Sequence, residues 1–92
     1  MSYDAKANAE DLERFAHQLG QFISQLSGST RNLRGQFSGL GETWGDTSHQ
    51  KYAKEFEHTM KTLDHFVQAS NEHIPFLKRK AQKIRDYAND KL

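Results

Sequence analysis

Midway along the chain, Gly39-Leu40-Gly41-Glu42-Thr43-Trp44-Gly45-Asp46 interrupts two long stretches of helical periodicity. A 92-residue chain with a single central turn can build little more than a helical hairpin. Such a hairpin has no deep cleft for chemistry, yet it carries a long apolar stripe that some surface must cover. The constraint on function is therefore association.

Size and composition tighten that constraint. At this length there is one domain, and the core such a chain can close by itself is marginal. Charged residues make up 27% of the sequence and there is one proline, so intrinsic propensity favours helix over sheet. With no cysteine there is neither a disulfide nor a thiolate metal site. The longest unbroken apolar run is Phe-Ile, Phe-Val or a similar pair, far short of a membrane span. The start has no basic segment followed by an apolar stretch, so the expectation is that any export does without a cleaved signal peptide.

The net charge of +1 is unevenly spread. Asp4, Glu10, Asp11 and Glu13 face only Lys6 and Arg14 at the start. Lys78, Arg79, Lys80, Lys83, Arg85 and Lys91 outnumber Asp86 and Asp90 at the end. Acid at one helix start and base at another helix end both suit the helix dipoles. In an antiparallel hairpin these two ends also meet and attract.

Leu12, Phe15, Leu19, Phe22, Leu26, Leu33, Phe37 and Leu40 recur at steps of three and four, with small Ser29/Thr30 filling the gap after Leu26, which predicts one helix over about 5–40. Gly28-Ser29-Thr30 is its expected kink or point of close approach. Gly39 and Gly41 suit a left-handed helix end. The turn is expected at about 41–46 and a second helix over about 47–90. Tyr52, Phe56, Met60, Leu63, Val67, Ser70, Ile74, Leu77, Ala81, Ile84 and Ala88 keep the spacing of a coiled-coil seam. Thr47 and Gln50 could form a capping box at its start, with Asp46 adding favourable charge. Pro75 predicts a kink or short break without a change of register.

Six phenylalanines are more aromatic surface than one antiparallel pair readily hides. The expected fold class is all-α: an antiparallel helix-turn-helix hairpin that dimerises into a four-helix bundle. The predicted intra- and intersubunit contacts are Phe15, Leu19, Phe22, Leu26, Leu33, Phe37, Tyr52, Phe56, Leu63, Val67 and Leu77.

Chemistry finds little purchase here. His58 and His65 share a helix face, but seven residues is not a zinc-ligand spacing, and His17, His49 and His73 add no metal signature, so neither metal nor cofactor is expected. There is no nucleophile elbow, phosphate loop or paired-carboxylate motif, and no small-molecule substrate is implied. The basic run from Lys78 to Arg85 could meet an anionic partner, although no aromatic stacking platform accompanies it and nucleic acid is disfavoured. Trp44 is expected to plug the turn against Leu40 and Tyr52, as a structural staple or as a recognition element.

Trp44-Gly45 at the turn, Leu40 four residues before the tryptophan and Tyr52 eight after it, flanked by a helix on each side, resemble the WXG family, the small hairpins related to the early secreted antigens and exported by type VII secretion. The resemblance covers nearly the whole chain. It implies a non-enzymatic protein that dimerises with itself or a sister hairpin and has a membrane-bound secretion ATPase or a toxin as a further partner. Two positions depart from the family pattern. Asp46 stands where the usual motif has its second glycine. Tyr87 is followed four residues on by Lys91, with Asp90 one position early, where a C-terminal export signal has an acid. Tyr87 and Asp90 are the candidate export or partner signal, unless a partner supplies one. The reading is a type VII-like secreted substrate or export partner, cytoplasmic before export. The alternative is an intracellular helical adaptor that binds an anionic partner through Lys78 to Arg85.

Overall fold

The computed structural model describes residues 5–41 and 43–90, with side chains from 8 to 41 and from 43 to 89. Two helices account for nearly all of it: α1, Ala5–Leu40, and α2, Ser48–Asp90. They lie antiparallel. Glu13 pairs with Arg85 near the open end, Phe22 meets Phe66 midway, and Phe37 stacks on Phe56 near the turn. The result is a rod of 70 × 22 × 17 Å with a radius of gyration of 20.6 Å. A compact domain of this length would have a radius near 12 Å, so the hairpin has a seam rather than an enclosed core.

That seam follows the heptad. From α1 come Ala9, Ala16, Ile23 and Thr30, all buried and seven apart, with Leu12, Leu19 and Leu26 half-buried between them. From α2 come buried Met60, Ser70 and Ala81 and half-buried Phe56, Leu63, Val67, Ile74, Leu77, Ile84 and Ala88. Most of the deepest side chains are small. Small residues let two helices approach closely; an added Cβ at Gly20 would lie 3.7 Å from Ile74 Cδ1, an ordinary contact. Gly28, the expected point of close approach, has nothing within 4 Å.

α1 continues unbroken through Gly28-Ser29-Thr30, and the buried Thr30 hydroxyl donates to Ser27 O at 2.9 Å. Back-bonding of this kind lets a hydroxyl enter a seam without an unpaired donor. α2 likewise runs through Pro75 as one helix, so of the kink or short break expected there, the break does not occur. Pro75 is exposed; what it removes is the amide that would bond to the Asn71 carbonyl.

Neither Gly39 nor Gly41 adopts the left-handed conformation expected of them, since no glycine among the described residues has a positive φ. α1 ends instead by converging donors. Gly41 N–H reaches Phe37 O (3.3 Å) and Ser38 O (3.2 Å), while the amides of Thr43 and Trp44 reach Leu40 O at 3.0 and 2.9 Å. Carbonyls orphaned at a helix end are thereby satisfied by the turn itself. At Gly41 a Cβ would sit 3.3 Å from Ser38 O and 3.4 Å from His49 Nε2, a tight fit in which a neighbour must give by a few tenths of an ångström.

Candidate functional site

The turn is organised by one carboxylate. Asp46 Oδ1 accepts from Trp44 Nε1 at 2.9 Å, from Ser48 N at 3.0 Å and from the Ser48 hydroxyl, and Asp46 O accepts from His49 N at 3.3 Å. This is an N-cap: the side chain satisfies an amide two residues on, which α2 itself leaves free. Asp46, not the Thr47–Gln50 pair, therefore caps the helix. The Ser48 hydroxyl, then the Trp44 indole, hold its carboxyl below the ordinary carboxylate range.

The clasp sets Trp44 against an aromatic cluster. Phe37 stacks between Phe56, with ring centroids 4.4 Å apart, and His49 at 5.3 Å. Trp44 meets His49 edge-on at 5.0 Å and Tyr52 at 5.8 Å. Trp44, Phe37, His49 and Phe56 are half-buried, and Tyr52 is exposed. Trp44 thus touches Leu40 through its backbone and Tyr52 through its ring.

Along the rod, the two flanks of the seam differ in kind. On one flank Glu13 pairs with Arg85, and Arg34 binds Asp64 at 2.7 Å and Glu57 at 3.6 Å. On the other, Phe15, Phe22 and Leu33 of α1 and Phe66 and Tyr52 of α2 are exposed, with Leu40 completing the row at the turn. Phe22 and Phe66 touch edge-to-face at 6.2 Å across the seam, which fixes them to a common side. Near the turn, Leu33, Phe37, Leu40, Tyr52 and Phe56 line an open apolar groove. One flank is self-neutralised and the other is left apolar.

The expected contact residues therefore fall into two groups. Leu19, Leu26, Phe37, Phe56, Leu63, Val67 and Leu77 are half-buried between the helices, whereas Phe15, Phe22, Leu33 and Tyr52 face outward. Ala9, Ala16 and Ile23, which are not among the expected contacts, lie in the seam, and their seven-residue spacing is its signal. Leu40 and Phe66 join the outward group. Tyr87 is exposed on α2; the Asp90 side chain and Lys91 lie outside the described residues. His17, His58, His65 and His73 are exposed, and among the described residues no group of three His, Cys, Asp or Glu could hold a metal ion. Nor is any described helix long and apolar enough to cross a membrane.

A clasped tryptophan turn, two long antiparallel helices and one exposed apolar flank define a class of small helical hairpins. The family described as proteins of 100 residues with WXG matches residues 4–88, and the chain belongs to it. No curated protein and no solved structure gives a significant match. The family is associated with small secreted type VII substrates, non-enzymatic helical proteins that form dimers with helical partners.

Proposed function

We propose that this chain is a substrate or export partner of a type VII-like secretion system and works as half of a four-helix bundle, its apolar flank closed by a second hairpin. The uncovered flank carries the reading. The chain exposes 7313 Å², whereas a compact monomer of 10.6 kDa would expose roughly 5500 Å². The excess is more than the roughly 800 Å² per partner that a standard stable interface buries. Phe15, Phe22, Leu33, Leu40, Tyr52 and Phe66 are among the large apolar side chains left exposed.

The second hairpin is another copy or a sister protein. Recognition by the secretion ATPase, or travel beside a toxin, then engages the bundle, with Tyr87 and Asp90 near the end of α2 as the signal. Export is tested by comparing culture filtrate from cells with an active secretion system and from cells lacking its ATPase. ATPase-dependent appearance of the protein supports the role; retention in cells whose system exports its other substrates overturns it. Light scattering after size exclusion tests the bundle separately.

A further inference from the structure

Beyond the turn and the apolar flank, α2 presents a third surface near the open end. Phe76, Arg79, Lys80 and Lys83 stand at i, i+3, i+4 and i+7, so they share one helix face. All four are exposed, Phe76 by 57%. Together they line a shallow depression on the outside of the helix. The nearby cation Arg85 is already paired with Glu13 across the seam, but Arg79, Lys80 and Lys83 have no ion-pair partner among the described residues. Their nearest acids along the helix are Glu72, one turn before Phe76, and Asp86, which accepts from Gln82 at 2.9 Å.

Three cations without an ion-pair partner surround one outward phenylalanine and do not belong to the seam; Lys80 stands two heptads from Phe66 in the row that borders the apolar flank, and Phe76, Arg79 and Lys83 turn outward from it. We propose that this face docks on an anionic phospholipid bilayer. Charge complementarity and the placement of the ring together select that occupant. Long Lys and Arg stems can lie along a headgroup layer while their charged ends meet lipid phosphates. Between them Phe76 reaches the boundary of headgroups and acyl chains, the position an apolar anchor takes on an interfacial helix. A nucleic-acid backbone would meet the same cations but leave the ring in water, since a lone phenylalanine hemmed by cations is no stacking platform. The helix lies on the surface without crossing it, and binding is reversible and salt-sensitive.

Flotation of the full-length protein with vesicles tests this. The protein is expected to float with phosphatidylcholine vesicles that contain phosphatidylserine and not with phosphatidylcholine alone. Each basic residue near such a surface is worth roughly a fivefold change in partitioning, so Lys80→Gln with Lys83→Gln should weaken binding about 25-fold. Arg31→Gln with Lys78→Gln removes the same charge from exposed positions on the ion-paired flank and should leave binding within about twofold. Phe76→Ser should weaken the part of binding that survives about 1 M salt, where charge is screened within about 3 Å. On the unaltered protein, vesicles should slow hydrogen exchange around residues 76–84, a footprint that does not depend on any variant folding.

The proposal is overturned by equal binding to neutral vesicles, by equal effects of the two double replacements, or by no exchange footprint at residues 76–84. It is also overturned if a single-stranded oligonucleotide binds more tightly than the vesicles and depends on the same lysines. None of these readouts requires export, so the secretion role and this surface stand or fall separately.

Discussion

Phe15 and Ile23 lie on the same helix and should respond to the same truncation in different ways. Phe15 is 54% exposed and makes no ring contact with another aromatic among the described residues; Ile23 is 4% exposed and lies in the seam. A buried phenylalanine covers roughly 150–250 Å², so about 100 Å² of Phe15 still faces water. Covering that area in a bundle contributes about 2.5 kcal/mol per copy, at ~25 cal/mol per Å². Phe15→Ala should therefore weaken a heterodimer about 70-fold, and a homodimer, which loses the contact twice, by more than three orders of magnitude. The hairpin itself should lose much less, because alanine is the better helix former and offsets part of the lost packing.

Ile23→Ala removes methylene groups from a closed site, where transfer and cavity terms together cost about 2–5 kcal/mol. Its main effect should be on folding. Sedimentation equilibrium gives the association constant, and urea unfolding followed by circular dichroism at several protein concentrations gives the stability of the hairpin. An unchanged association constant for Phe15→Ala would remove the apolar flank from the interface. So would an Ile23→Ala protein that dissociates without losing hairpin stability, because its side chain would then have to belong to that interface.

Three further results should follow from the turn and from α2. Gly41→Ala should destabilise the protein, because its Cβ meets Ser38 O and the His49 ring, whereas Gly45→Ala meets nothing within 4 Å and should be neutral or stabilising by about 0.4–1 kcal/mol; equal thermal shifts would refute the difference. The Asp46 clasp should weaken on acidification: its carboxyl is held below its ordinary value, so its contribution is fully present above about pH 3.9 and is lost as pH falls through the depressed value. Trp44 fluorescence should report that change, and an identical acid transition in Asp46→Asn would assign it elsewhere. Pro75→Ala should stabilise α2, by up to about 3 kcal/mol, since it restores an amide in an exposed helix interior; a lower melting temperature would mean that Pro75 sets a bend on which Ile74 and Leu77 depend.

The second helix was more legible than the first, for a physical reason. In α2 the seam from Phe56 to Ala88 includes residues large enough to set the period themselves. In α1 the largest side chains draw the apparent stripe toward Phe15 and Phe22, while the helix contact is made by Ala9, Ala16, Ile23 and Thr30. Bulk marks the face that waits for a partner, and small size marks the face where two backbones come together. A straight helix also drifts about 20° per heptad against a strict seven-residue repeat, so three heptads from Leu12 to Leu33 turn the leucine row outward by about 60°. Leu12, Leu19 and Leu26 are half-buried, and Leu33 and Leu40 are not. A list of apolar residues does not contain that rotation.

The same distinction between a residue's type and its position bears on the altered motif. The departure is Asp46, at the place of the usual second glycine. In the structure that place is the N-cap of α2, where the chain must supply an acceptor for a free amide or leave that amide to solvent. Glycine is an acceptable N-cap because its backbone stays open to water; aspartate is a stronger one because it brings its own acceptor. Both residues therefore answer the same demand, and the substitution need not disturb the hairpin. Aspartate adds something glycine cannot: the oxygen that caps α2 also accepts the indole N–H of Trp44. The tryptophan is thereby tied to the start of α2 as well as packed against His49 and Tyr52. Asp46→Gly should keep the helices, because the N-cap remains served, but release the indole; a tryptophan environment unchanged by that replacement would show that ring packing alone holds Trp44 in place.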